Sequence, residues 1–183
     1  MARLRVYLAG PDVFLPDAVA AGEEKKRLCE KHGFEGVFPL DAEIEAGAPR
    51  STGLRISAAN EALIAGADLV IANMTPFRGP SADAGTAYEM GFARALGKRV
   101  LAYTESPDGF APRTRAFLAE RGALAPDGDH ATDGTSIEAF DLADNLMLVG
   151  ALAEQEHEPS RSFEECLLVA QRAANPTAAR VER

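Results

Sequence analysis

The chain has 183 residues, 46% of them hydrophobic, and a formal net charge of −9. This length suits one domain with a sizeable core and is too short for two, so we expect a single domain over residues 1–175 and a frayed tail over 176–183. The negative charge, without a Lys/Arg run, argues against nucleic-acid polymers and anionic membranes as partners because both would be repelled, whereas a small neutral substrate would not.

Cysteine and histidine usage indicates the compartment and argues against metal sites. Cys29 and Cys166 are isolated, without metal-type spacing, and fit a reducing cytoplasm. The three histidines have no ligand spacing either. The N-terminus runs directly into a strand pattern, so we expect no signal peptide, and we find no candidate transmembrane span.

Strand and helix patterns alternate along the first half of the chain. In order, we predict a strand at residues 3–9, a helix at 16–32 ended by Gly33, a short strand around Val37 and Phe38, and a helix from about Ser51 to Ala65 capped by Ser51 or Thr52. Residues 68–74 are almost continuously apolar. This pattern is typical of a parallel strand with both faces covered.

The second half continues the alternation less strongly. We predict a helix containing Glu89, a strand at 99–104, a short helix at 113–121 and a polar, Gly-rich loop at 126–136. Residues 144–154 are apolar again, and Ser162 and Glu165 have capping-box spacing at the start of a last helix. Strands alternating with helices predict an α/β fold with a doubly wound parallel sheet.

One carboxylate has unusual surroundings in this pattern. Glu89 shares its predicted helix face with small or apolar residues, namely Gly85, Phe92, Ala93 and Leu96. Most helix glutamates are solvated or paired, and burying an unpaired charge costs several kcal/mol. Asp83 at an N-cap position and a preceding loop rich in turn residues favour a functional carboxylate near a helix N-terminus.

Ligands of open α/β sheets bind beyond the carboxyl ends of the strands. Four segments are predicted to converge at that edge. They are residues 7–14, 39–43 and 73–83 and the N-terminal half of the Glu89 helix.

Four strings in these segments and beyond carry a family resemblance: YLAGP on the first strand, PFRG before the Glu89 helix, DAGTAYEMGFARALGK and NLML. Together, over roughly residues 5–150, they resemble the nucleoside 2-deoxyribosyltransferase family. The resemblance implies a flavodoxin-like sheet of about five strands with helices on both faces, and exchange of purine or pyrimidine bases on 2-deoxyribonucleosides. It also implies a homo-oligomer with active sites shared between subunits, and neither a cofactor nor a metal.

The resemblance also implies catalytic roles. Glu89 matches the nucleophile, Asp83 the acid that holds sugar hydroxyls, and Tyr7 the tyrosine that orients the nucleophile. Taken alone, a tyrosine such as Tyr7 is more often a core residue, and an aspartate such as Asp83 is more often a simple helix cap.

The implied substrate-binding residues are spread over the chain. Gly10 belongs to the YLAGP string, and Phe14 matches an aromatic ring that covers the base. Asn145 and Met147 match residues that a neighbouring subunit inserts, although their apolar run equally suits an internal strand or core packing.

Two positions depart from the family pattern. Asn60 stands where several members have an aspartate that handles base protonation, and Glu43 stands near where some members have a glutamine that touches the base. Because an amide does not titrate usefully, Asn60 leaves the proton route and the base preference open.

Two other functions compete with base exchange. One is hydrolysis of 2-deoxynucleoside 5′-monophosphates by a related N-glycosidase, whose members tend to have a serine at the position of Asp83. A carboxylate there would repel a phosphate dianion by roughly 1 to 4 kcal/mol at 4 Å. The other is a non-catalytic nucleotide-sensing module, which would need phosphate-cradling glycines and would gain nothing from a buried Glu89.

Overall fold

The computed structural model describes residues 2–45, 47–152 and 158–174. Four parallel strands form one sheet in the order β2-β1-β3-β4. They are β1 (Leu4–Ala9), β2 (Phe34–Val37), β3 (Leu69–Asn73) and β4 (Arg99–Tyr103). All five residues of β3 are buried, as expected for a central parallel strand covered on both faces. The predicted doubly wound α/β fold is confirmed.

The strand number is lower than the five that we expected. In the described part of the chain, the fifth position holds only an isolated parallel bridge between Tyr103 and Ser160. Ser160 donates its backbone N–H to Ala102 O at 2.8 Å and accepts from Thr104 N at 3.0 Å. Pro159 has no N–H to donate to a ladder, and helix α6 begins at Phe163, so the described residues between 158 and 162 form a bridge and no strand.

Six helices and two 3-10 turns connect the described strands. The helices are α1 (Ala18–Lys31), α2 (Pro49–Gly66), α3 (Ala84–Ala95), α4 (Phe110–Glu120), α5 (Leu146–Ala151) and α6 (Phe163–Ala174), and the turns are Pro11–Phe14 and Pro39–Asp41. One core joins the sheet to α2, α3 and α5, and a second joins it to α1 and α6.

The alternation of side chains along β1 decides which core each residue enters. Val6 and Leu8 pack with the α1 and α6 face, whereas Tyr7 and Ala9 pack with the α2, α3 and α5 face. Since successive residues of a strand point to opposite faces, this register directs Tyr7 toward α3.

Several predicted boundaries need correction. Helix α2 begins at Pro49 with Ala48 as its N-cap, and Ser51 donates to Ala48 O instead of capping the helix. Proline suits the first turn because its missing N–H would have no intrahelical partner there. At α6 the prediction is confirmed, since Glu165 N donates to Ser162 Oγ at 3.2 Å.

Two further expectations concern the end of the chain. The apolar run at 144–154 forms helix α5 and no strand in its described residues, while 153 and 154 lie outside the described ranges. The predicted tail at 176–183 also lies outside them, as does residue 175. Within the ranges described, no helix has the length and hydropathy needed to cross a membrane.

A close approach between α1 and the end of β2 gives a stability prediction. A Cβ on Gly22 would lie 2.6 Å from a ring carbon of the buried Phe38, whereas a Cβ on Gly53 of α2 would meet nothing within 4 Å. We expect Gly22→Ala to lower the free energy of unfolding by about 1–2 kcal/mol through overpacking. Gly53→Ala, the matched control, should raise it by about 0.5–1 kcal/mol through helix propensity.

Urea unfolding of both variants measures the difference. A Gly22→Ala protein at least as stable as Gly53→Ala would contradict the packing described for α1 and Phe38.

Candidate active site

A short hydrogen bond joins the middle of the sheet to helix α3. Tyr7 is fully buried (0% exposed) in β1, and its hydroxyl donates to Glu89 Oε1 at 2.6 Å. No other hydrogen bond to the Glu89 carboxylate occurs among the described residues, so Oε2 has no partner there. The Tyr7 phenol therefore fixes one carboxylate oxygen and leaves the other available.

The surroundings of Glu89 change its acidity. The pKa of Glu89 is raised to about 7, with burial as the largest cause and the charge of Asp83 as a smaller one. The hydrogen bond from Tyr7 lowers this pKa because it favours the charged form. Burial and the Glu89 charge raise the pKa of Tyr7 far above its ordinary value, so the phenol remains a donor.

Asp83 is the N-cap of α3. Its Oδ2 accepts from Gly85 N at 2.9 Å and from Thr86 N at 3.3 Å. These bonds satisfy two backbone donors that the helix start would otherwise leave unpaired. Asp83 is therefore a helix cap. Its other oxygen, Oδ1, has no hydrogen-bond partner among the described residues.

Gly10 lies where the chain leaves β1. A Cβ at this position would be 2.8 Å from Asn73 Cβ and 2.7 Å from Asp12 Oδ2. Only glycine allows this close approach of the β1 and β3 ends without a shift of neighbouring atoms.

Phe14 is 53% exposed and belongs to a small aromatic cluster at the same edge. Its ring stacks on Phe77 with centroids 5.4 Å apart. The guanidinium of Arg78 lies 4.8 Å from the Phe14 centroid and 4.5 Å from the Phe77 centroid. The backbone of Arg78 is left-handed, with φ of 58°, which is uncommon for a residue other than glycine.

Sequence reasoning missed a polar cluster beside Gly10. Lys25 Nζ lies 2.7 Å from Asp12 Oδ2, and Asn73 Nδ2 donates to the same oxygen at 3.3 Å. Lys25 and Asp12 side chains are largely buried. The position of Asn73 at the end of a buried strand was the available signal, but its partners are distant in sequence.

The structure does not bring Glu43 or Asn60 into hydrogen-bond contact with Tyr7 or Glu89. Glu43 is exposed in the loop that follows the second 3-10 turn. Asn60 lies on α2, and its Oδ1 is buried with no hydrogen-bond partner among the described residues. A buried amide oxygen of this kind is a free acceptor.

Asn145 and Met147 lie on the other side of α3 from Glu89. They line a groove of about 560 Å³ together with Ala84, Ala87, Tyr88 and Gly91 of α3. Glu89 is offset by about 200° from Ala87 and from Gly91 at 100° per residue, so it points away from this groove. Within one chain, Asn145 and Met147 are therefore separated from Glu89 by the helix itself.

The alternative of an internal strand at Asn145 is wrong. Asn145 caps α5, because its Oδ1 accepts from Met147 N at 3.0 Å, and its Nδ2 donates to Glu138 Oε2 at 2.7 Å. Met147 is 72% exposed. Among the residues described, no group of three or more His, Cys, Asp or Glu side chains could hold a metal ion.

The sequence of this chain matches the model of a known protein family. The profile described as nucleoside 2-deoxyribosyltransferase matches residues 6–147, which is more than half of the chain. The chain belongs to the nucleoside 2-deoxyribosyltransferase family. The resemblance noted in the sequence is thereby confirmed.

Solved structures support the same family. A 2-desoxiribosyltransferase from Leishmania mexicana is 30% identical, covers 92% of this chain and 97% of its own, and superposes with a TM-score of 0.68. A conserved protein from Enterococcus faecalis V583 is 23% identical over 93% of this chain and 99% of its own, with a TM-score of 0.57, and shows the fold alone.

A curated protein shares part of the sequence. An uncharacterized Schizosaccharomyces pombe protein is 35% identical over 116 residues. The match covers 61% of this chain and 55% of that protein, so this deoxyribosyltransferase-family chain matches about half the length of its curated relative.

The opposed influences on Glu89 give a pH prediction. The pKa of Glu89 is about 7 in the wild type, above its ordinary value of 4.5. Tyr7→Phe removes the donor that favours the charged carboxylate, so we expect this pKa to be higher in the variant than in the wild type. The control is Tyr88→Phe on the same helix, because the Tyr88 hydroxyl donates to Glu61 and not to Glu89.

Carbon-13 NMR of the glutamate carboxyl groups, with the Glu89 signal assigned through Glu89→Gln, measures the change. A wild-type Glu89 that titrates near 4.5, or a downward shift in Tyr7→Phe, would contradict the electrostatics described.

Proposed function

We propose that this protein exchanges the base of 2-deoxyribonucleosides through a covalent deoxyribosyl intermediate on Glu89. The observation that carries the proposal is the hydrogen bond from the buried Tyr7 to one oxygen of Glu89, which leaves Oε2 free. Family membership supports the reaction class. A partly buried carboxylate with no cationic partner is suited to attack on a positively charged centre.

In the first step, Glu89 Oε2 forms a bond to the anomeric carbon of the nucleoside. The glycosidic C–N bond breaks, and the base departs with its electron pair and takes up a proton. The transition state has oxocarbenium character, as in retaining glycoside chemistry. The lack of a 2-hydroxyl makes this cation easier to reach.

In the second step, a ring nitrogen of another base attacks the same carbon, the C–O bond to Glu89 breaks to release the carboxylate, and the incoming base gives up one N–H proton. Two inversions give net retention. Asp83 Oδ1 is the group that would hold sugar hydroxyls, because Oδ2 is already used in the helix cap. Asn60 cannot supply a titratable proton, so the leaving base takes its proton from another group or from water.

Base recognition is proposed at the edge formed by Gly10 and Phe14. The exposed Phe14 ring offers an apolar face on which a flat base can stack. Glu43 belongs to this edge only if its exposed loop folds inward when substrate binds. We propose no cofactor or metal for the reaction, and we propose that it occurs in the cytoplasm.

We further propose a homo-oligomer in which Asn145 and Met147 complete the site of a neighbouring chain. Their position across α3 from the Glu89 of their own chain supports action in trans. Large exposed apolar side chains on α2, α3 and α5 would be covered by such an assembly, namely Leu54, Tyr88, Leu96, Leu146 and Met147. Closure by a partner would also exclude water from the intermediate.

One observation favours the hydrolysis of 2-deoxynucleoside 5′-monophosphates as a second candidate function. The Arg78 guanidinium makes no hydrogen bond or ion pair with any described residue, and its donors are suited to a phosphate. The carboxylate of Asp83 argues against this second function, because it would repel a 5′-phosphate. The sensing module has no comparable support, since GTAYEMG lacks dinucleotide-fingerprint spacing.

The nucleophile proposal predicts a large rate loss. Glu89→Ala should lower the exchange rate at least about a thousandfold, since covalent catalysis is then unavailable. The matched control is Glu120→Ala at an exposed glutamate of α4, which should keep wild-type activity. Intact-mass analysis of wild type with donor alone should show a deoxyribosyl group on the Glu89 peptide. Near-wild-type turnover by Glu89→Ala would refute the mechanism.

Substrate choice separates the two candidate functions. Incubation with deoxyinosine and free adenine, with thymidine as an alternative donor, should produce deoxyadenosine. Asp83→Ser should weaken turnover of nucleosides and ease binding of 5′-monophosphates, because it removes a negative charge, and Arg78→Ala should weaken monophosphate binding. Free base and deoxyribose phosphate as the main products, from monophosphates only, would favour the hydrolase.

The shared site predicts complementation. Glu89→Ala chains and Asn145→Ala chains should each be inactive alone, because each lacks one half of every site. Mixing them should restore activity, since a mixed oligomer contains a site with Glu89 from one chain and Asn145 from the other. Subunit exchange is verified by mass. Exchange without any rescue would place both residues in the site of a single chain.

A further inference from the structure

Asp144 is a carboxylate at 1% exposure between the start of α3 and the start of α5. Its Oδ1 accepts from Asn145 N at 2.7 Å and from the Ser81 hydroxyl. Its Oδ2 accepts from Ala82 N at 3.1 Å and from Arg113 Nη2 at 3.1 Å. Four donors satisfy the carboxylate, and they come from three separate segments of the chain.

Arg113 extends the same network from α4. Its Nε donates to Pro80 O at 2.8 Å, and its Nη2 donates to Ala143 O at 2.8 Å as well as to Asp144. The planar guanidinium thus holds both segments at once, which a single ammonium group could not do. Together, Asp144 and Arg113 fasten the loop at 80–82 to the segment at 143–145.

The two fastened segments lead to different parts of the proposed chemistry. The loop at 80–82 runs directly into Asp83, the cap of the helix that carries Glu89. The segment at 143–145 ends in Asn145, whose side chain lies across α3 from the Glu89 of its own chain. The network therefore connects Asp83, in the chain's own site, to Asn145, which would complete the site of a neighbouring chain.

We propose that Asp144 is a positioning residue that links two active sites of the oligomer. In each chain it sets the position of the Asp83 loop for that chain's own site and the position of Asn145 for the partner's site. This inference rests on the proposed function, because it requires Asn145 to act in trans. A shift of the loop when sugar binds is then passed to Asn145 through hydrogen bonds to a single carboxylate.

The two segments that Asp144 holds, the loop before Asp83 and the segment that ends in Asn145, have different kinetic consequences when they are loosened. Loosening the loop disturbs sugar binding by Asp83, so it raises KM for the nucleoside. Loosening Asn145 opens the partner's site to water, so it raises the fraction of intermediate that is hydrolysed instead of transferred. A merely structural role for Asp144 would lower the amount of folded enzyme and change neither quantity.

Mixed oligomers distinguish the effect of loosening the Asp83 loop from the effect of loosening Asn145. In the first mixture, Asp144→Asn chains are combined with a large excess of Glu89→Ala chains. The functional sites then have a loosened Asp83 loop and an Asn145 that is correctly held by the partner. In the second mixture, wild-type chains are combined with a large excess of Glu89→Ala/Asp144→Asn chains, so the functional sites have an intact Asp83 loop and a loosened Asn145 from the partner. Wild type mixed with an excess of Glu89→Ala is the reference, and the matched carboxylate control is Glu164→Gln in place of Asp144→Asn, since Glu164 pairs with Lys31 on the opposite face of the sheet.

We expect the first mixture to raise KM about tenfold with little change in the hydrolysed fraction. The second should raise the hydrolysed fraction about threefold with little change in KM. If Asp144→Asn chains do not fold, Arg113→Lys replaces them, because it keeps the charge but cannot hold Pro80 O, Ala143 O and Asp144 together. An effect in only one mixture, or in neither, overturns the link.

The complementation of Glu89→Ala by Asn145→Ala distinguishes this failure from that of the proposed function. Rescue there, together with an unaffected second mixture, overturns the link alone. Absence of rescue, with subunit exchange verified, overturns the link and the shared site, whereas base exchange through Glu89 is overturned only by near-wild-type turnover of Glu89→Ala.

Discussion

The hydrogen bond between Tyr7 and Glu89 joins α3 to the sheet across their shared apolar core. Tyr7 is held by its neighbours in β1 and is completely buried, so its hydroxyl has one available direction. A phenol is well suited to this position because burial suppresses its ionisation and keeps it a donor. The carboxylate that it meets is thereby held on α3, the helix that follows the carboxyl end of β3, and open parallel sheets bind their ligands beyond such strand ends.

Local patterns predicted the elements that make this bond possible. The apolar run that forms β3, the strand pattern at residues 3–9 that contains Tyr7, and the cap at Asp83 all follow from neighbouring residues. The lone position of Glu89 on its helix face identified it before any partner was known. Family-specific strings then supplied roles that periodicity alone cannot give.

Other parts of the site depend on contacts between distant segments. Arg113 and Asp144 are 31 positions apart, and Ser81 and Asp144 are 63 apart, so no local pattern indicates their network. The helix at Asn145 was ambiguous for a different reason, because a short apolar run suits either a strand or a helix. Ser51 was predicted as a cap of α2, but the helix begins earlier, at Pro49, with Ala48 as its N-cap.

The single-residue bridge at Ser160 has a consequence for the edge of the sheet. An edge strand exposes backbone donors and acceptors that can pair with strands of other molecules. Ser160 occupies Ala102 O and Thr104 N, the groups that an incoming strand would need at the end of β4. Because Pro159 has no N–H to donate to a further strand, this bridge covers the end of β4 without offering a full new edge for pairing. Two hydrogen bonds thus make the end of the β4 edge unavailable for edge-to-edge pairing with another molecule.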